Sequence, residues 1–177
     1  MKHIFRLSEE VTVPDGTRLS EAIGPAVFAA QGLPLQEGLS VAQANLPPGV
    51  TSLIHVHPVV SQFTWVLEGE LTVTMKDVNS ETPYTLSIRA GEGVQTNPGT
   101  FFQIQNRGKT TCKALYIVIP AFVFETDETG QVRYNDAVVL PWTWDELQQK
   151  NWKPAELSSP DEILELRAEA LARMAQV

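Results

Sequence analysis

The chain has 177 residues, a formal net charge of -8 at pH 7 and a single cysteine. That length suits one domain able to bury a working core without staples. The negative balance argues against a nucleic-acid or anionic-membrane partner, since either needs clustered Lys and Arg. Cys112, with no second thiol, excludes an internal disulfide and reads as a strand residue, not a catalytic thiol.

Arg6, Glu9 and Glu10 interrupt the amino terminus before the apolar core of a signal peptide could form, so no export is expected and the protein reads as soluble and cytoplasmic. His3 is expected on an amino-terminal strand, as a surface or interface residue. Short β-rich runs then alternate with turns: Leu39 to Leu46, Ser52 to His57, Phe63 to Leu67, Glu70 to Lys76, Tyr84 to Ile88, Phe101 to Gln105 and Lys113 to Ile119. Turn signals such as Pro47-Pro48-Gly49, Glu68-Gly69 and Asn97-Pro98-Gly99 separate them. The longest apolar stretch, Ala114 to Phe124, contains Pro120 and falls short of the roughly 20 residues that span a bilayer, so it predicts a buried strand. This rhythm predicts an all-β fold, an antiparallel sandwich or barrel over residues 27 to 140 of a single domain.

From residue 141 the pattern becomes helical. Thr143 and Glu146 have capping-box spacing, which predicts a helix through Gln149. Ser159, Pro160, Asp161 and Glu162 open a second helix. It sets Ile163, Leu166, Ala170, Leu171 and Met174 at amphipathic spacing for packing on the outside of the barrel, with Glu169 and Arg173 four apart on another face. Trp142, Trp144 and Trp152 are expected to anchor this tail.

The most informative segment is Gly49 to Gly69. His55 and His57 are one residue apart in a β-branched, apolar run, and alternate strand side chains share a face, so the two imidazoles form a chelating pair. Neutral imidazoles suit zinc, iron, nickel, copper or manganese, and suit calcium or magnesium poorly.

This spacing resembles the first motif of the cupin family: glycine, five residues, His-x-His, three or four residues, glutamate, six residues, glycine. Gly49, His55, His57 and Gly69 match, and Gln62 stands where the family has glutamate. The second cupin motif aligns with Gly91, Gly99 and Asn106, with Pro98 shifted by one and Phe102 in the histidine slot. The resemblance implies a small antiparallel jelly roll, single because the motif does not repeat. It also implies one divalent transition metal (Zn, Fe, Ni or Mn) held inside the barrel by His55, His57 and Gln62. Phe102 cannot coordinate. A neutral amide oxygen in place of a carboxylate leaves the metal its full double charge, making it a stronger Lewis acid and a weaker binder. The alternative is a metal-free pocket whose histidines bond Gln62 and water and which binds an organic ligand.

Alternation places Thr64 and Val66 inward with Gln62, facing Phe102 and Ile104, as an apolar substrate pocket around a small polar cluster. Such a pocket suits an aromatic or polyketide-like small molecule bearing carbonyl or hydroxyl oxygens. The family resemblance implies either Lewis-acid cyclase or isomerase chemistry or quercetinase-like dioxygenase chemistry; the metal-free alternative is a binding module. No Asp or Glu falls on an expected inward position near the histidines, so a base would come from loops or water. Phe63 and Trp65 are expected to face outward, and that much aromatic surface predicts a homodimer.

Overall fold

The computed structural model describes residues 6–34 and 37–176, and the expectation for His3 lies outside them. The described strands are β1 (Val11–Thr12), β2 (Arg18–Ile23), β3 (Ser40–Leu46), β4 (Ile54–Val56), β5 (Ser61–Glu68), β6 (Glu70–Lys76) and β7 (Tyr84–Arg89). They continue with β8 (Gly93–Thr96), β9 (Phe101–Gln105), β10 (Cys112–Ile119), β11 (Phe124–Thr126), β12 (Val132–Asn135) and β13 (Val138–Leu140). Helix α1 (Pro25–Ala30) follows β2, and α2 (Trp144–Gln149) and α3 (Pro160–Met174) follow β13.

The strands build a six-stranded sheet, ordered β1-β2-β3-β10-β5-β8, and a five-stranded sheet, ordered β13-β4-β9-β6-β7, with β11 and β12 as a separate ribbon. Neighbours are antiparallel and often distant in sequence, the crossover pattern of a jelly roll. Leu46 and Val66 from the first sheet meet Leu71, Met75, Phe102 and Ile104 from the second in one core. The expected all-β barrel is therefore present, and its first sheet already begins with β1 and β2, strands that the spacing of apolar residues does not reveal.

The motif residues outside the histidines hold the backbone. Gly69 turns β5 into β6 at φ 84°, where a Cβ would lie 3.1 Å from Cys112 Cα, so both conformation and space require glycine. Gly99 donates its N–H to the His57 carbonyl at 2.9 Å and so fixes the end of β4. The Asn106 side chain donates to the Leu46 and Thr110 carbonyls and accepts from Gly108 N–H, closing the β9–β10 turn onto β3.

Along β5, Gln62, Thr64 and Val66 are buried while Phe63 and Trp65 are 39% and 46% exposed, the expected alternation. The tail does not cover that outer face. Its Trp142, Trp144 and Trp152 pack instead with Leu147 on Ile54, Val56, Phe101 and Leu140, behind the strand that carries the histidines. Helix α2 starts with the expected capping box, Thr143 and Glu146 each serving the other's backbone. Helix α3 buries Ile163 and Ala170 against Val123 and Tyr134. One expectation for its face is corrected: Leu166 is 43% exposed and Arg167 is buried in its stead. Arg167 donates to Asp136 at 3.2 Å and to the Ala121 carbonyl, and Asp136 also accepts from Val123 N–H and the Tyr134 hydroxyl. A buried carboxylate needs a cation more than the helix needs one more leucine inside.

Candidate functional site

Strand β4 sits between β9 and β13 and pairs His55 with Phe102 on one side and Val139 on the other. Val56 points back to the tryptophan cluster, so His55 and His57 share the inner face, with ring centroids 5.5 Å apart. The Phe102 ring lies 3.9 Å from the His55 ring and 5.1 Å from that of His57, edge-on.

His55 Nδ1 lies 3.0 Å from the Leu53 carbonyl. A carbonyl only accepts, so Nδ1 carries the proton and Nε2 keeps its lone pair. Asp15 Oδ2 stands 3.8 Å behind the same nitrogen. His57 Nδ1 is buried with no partner among the described residues. Burial holds the His57 pKa well below the usual imidazole value, and the neighbouring His55 pushes the same way. Burial also lowers that of His55, against an opposing pull from Asp15 and the Leu53 carbonyl. Both rings are therefore neutral at pH 7, the form that ligates metals. From β5, Gln62 donates its amide nitrogen to Thr64 Oγ1 at 3.0 Å, which leaves the amide oxygen free.

These donors fit a divalent transition metal: an imidazole nitrogen oriented through its other nitrogen, a second buried imidazole with an unpartnered nitrogen, and an oriented amide oxygen. Among the described residues no three His, Cys, Asp or Glu side chains are grouped to hold an ion, so a metal here depends on Gln62.

His55, His57 and Gln62 line one cavity of about 1220 Å³. Of the four residues expected as pocket, Ile104 is on its wall. Thr64 is occupied in holding Gln62, Val66 packs in the sheet-to-sheet core, and Phe102 is buried against the two imidazoles. The wall also takes residues ahead of the first expected strand: much of the segment 6–19, Glu21 and α1.

Three wall residues went unnoticed. Asp15 lies in the turn Val13-Pro14-Asp15-Gly16, closed by Gly16 N–H on the Val13 carbonyl, and its carboxylate accepts both the N–H and hydroxyl of Thr17. Its own carbonyl accepts Leu53 N–H at 2.7 Å, which ties the turn to the entry of β4 and sets Asp15 beside His55. The Asp-Gly pair flanked by apolar residues was the available signal for this hairpin. Glu21 faces the cavity from β2, and burial pushes its carboxyl up to about 7. Its Oε1 occupies space that Gly24 leaves open, 1.7 Å from where a Cβ would stand. Tyr116, on β10 between Ala42 and Thr64, has a buried hydroxyl without a partner among the described residues, and burial, then Asp15 and Cys112, raise its pKa.

Residues 42–118 match the family model of the cupin domain. That segment is a cupin domain. Its barrel is similar in fold to oxalate decarboxylase from Lactobacillus farciminis, solved as a formate complex, with TM-score 0.55 and 15% identity over 88% of this chain and 40% of that one. It is also similar to the capsular polysaccharide assembling protein CapF from Staphylococcus aureus, with TM-score 0.54 and 19% identity over 79% of this chain and 32% of that one. The cupin chain thus spans well under half the length of either. No curated protein matches the sequence. Among the described residues no helix is long and apolar enough to cross a membrane.

Proposed function

We propose that this cupin is a metal-dependent enzyme acting on a small oxygenated compound, aromatic or polyketide-like, by cyclase or isomerase chemistry. The observation that carries this reading is the opening of two neutral imidazoles and the free Gln62 oxygen onto one large cavity. His55, His57 and Gln62 would hold the ion, and a bound divalent metal supplies a Lewis acid that polarises a substrate carbonyl. Gln62 and Phe102 favour this over dioxygen chemistry, because the donor set lacks an anion and a further nitrogen, which a change of oxidation state would favour. Around the site, Leu53 fixes the His55 tautomer, Thr64 fixes the Gln62 amide, and the apolar wall excludes water. Glu21 is the proton-holding group: a carboxyl with a pKa of about 7 both accepts and releases a proton near neutral pH.

The as-purified protein should contain about one metal ion per chain by elemental analysis, and His55→Ala or His57→Ala should each remove it. A second reading, a metal-free ligand-binding cupin, is favoured by the lack of a third His, Cys, Asp or Glu grouped with the pair among the described residues. Protein that takes up no zinc, iron, nickel or manganese on dialysis, and binds ligand unchanged after His55→Ala, would establish that reading instead.

The partner reading is a homodimer. The outer face of β5 presents Phe63, Trp65 and Leu67, with Ile119 on the paired strand β10, and the tail leaves that face open.

A further inference from the structure

The hydrogen-bonding valences of the cavity wall are unevenly spent. Several donors are committed within the protein: His55 Nδ1–H to Leu53, the Gln62 amide to Thr64, the Thr17 hydroxyl to Asp15 and the Ser8 hydroxyl to Glu9. Apart from the Gln62 oxygen and His55 Nε2, assigned to the ion, the free acceptor is the carboxyl of Glu21, a partly buried group with no bonded or charged neighbour among the described residues. The Tyr116 hydroxyl, which both donates and accepts, is buried and unpartnered. Arg6, the cation on the wall among the described residues, is solvent-exposed and so screened, whereas Asp15 is buried and Glu21 partly buried.

The strand register gives these groups a span. Glu21 pairs with Ala42, and Ala42 pairs with Tyr116, so all three point inward in one row. Adjacent strands are about 4.8 Å apart, which separates the Glu21 and Tyr116 backbones by about 10 Å with only a methyl between them. A flat ring system laid over Ala42 meets a carboxyl at one end and a phenol at the other.

We infer that the cavity selects a neutral, hydroxyl-bearing ring compound over a carboxylate-bearing one, with Glu21 as the residue that sets the preference. This rests on the proposed use of the cavity as the substrate site, and it names the substrate class. A hydroxyl donates to Glu21, while a carboxylate brings a like charge toward Glu21 and Asp15 across a water-poor wall, and such juxtaposition is strongly unfavourable. Ala42 supplies the flat floor and Gly24 the recess for the Glu21 carboxyl.

The test uses the full-length, as-purified protein and two probes of matched shape, 2-naphthol and 2-naphthoate, titrated calorimetrically at pH 8, above the value of about 7 to which Glu21 is raised. Wild type should bind 2-naphthol about tenfold or more tightly than 2-naphthoate, and Glu21→Gln should shrink that ratio to about threefold or less. Gly24→Ala, which keeps the charge but drives a Cβ into the carboxyl, should shrink it too; its extended backbone, φ 170°, accepts alanine, so this variant serves if Glu21→Gln does not fold. Equal binding of the two probes by wild type, an unchanged ratio in both variants, or no binding of either probe overturns the inference. Metal content is measured on the same samples. A protein that stays metal-free on dialysis against zinc, iron, nickel or manganese and keeps the ratio sinks the metal-enzyme reading and leaves this one standing; a metal-loaded protein without the ratio does the reverse.

Discussion

Glu21 offers a stability measurement that reads the cavity without any ligand. Its carboxyl is lifted from an ordinary 4.5 to about 7 by burial. Between those two values the folded protein holds a proton that the unfolded chain has released, so stability falls as pH rises through that window, and the contribution is gone above about 7. A shift of that size corresponds to about 3 kcal/mol at 1.36 kcal/mol per unit, and the partial exposure of Glu21 discounts it to about 2 kcal/mol. Glu21→Gln removes the titration while keeping the shape. Urea denaturation of both proteins from pH 4.5 to pH 8 should show wild type losing about 2 kcal/mol relative to Glu21→Gln across the range, so that the variant gains on wild type at the alkaline end. A difference constant to within about 0.5 kcal/mol would mean that the carboxyl is solvated and titrates normally, and the placing of Glu21 as a partly buried group of the cavity wall would fail.

Restoring the family's ligand with Phe102→His should tighten metal binding by adding a nitrogen beside the pair, and Gln62→Glu should tighten it through charge; competition with a chelator reads both, and unchanged affinity in both variants counts against the assigned ligand set. Arg167→Met strands the buried Asp136 carboxylate and should cost about 3–5 kcal/mol in chemical denaturation, much of it recovered by adding Asp136→Asn. Phe63→Asp with Trp65→Asp should turn a dimer of micromolar protein into a monomer by light scattering, and a wild-type monomer would refute the homodimer reading.

The sequence by itself determined the barrel and, within the candidate site, the shared face of His55 and His57. Alternation along β5 and the one-residue spacing of His55 and His57 are local consequences of strand geometry, so burial and facing could be assigned without knowing what packs opposite. The helix starts at Thr143 and Ser159 were legible for the same reason, because a cap is made within four residues. What tertiary structure alone decided is everything that depends on which distant segment arrives. The turn carrying Asp15 reaches His55 from 40 positions away in the chain, through one backbone bond to Leu53. Glu21 reads as a surface residue until β2 pairs with β3 and sets it in a row with Ala42 and Tyr116. Leu166 lost the inner face of α3 to Arg167 because Asp136, 31 residues earlier, is buried there and needs a cation. Periodicity registers how a side chain leaves its own element; the charge and the space it meets belong to the element opposite, and in a jelly roll that element is usually far away in the chain.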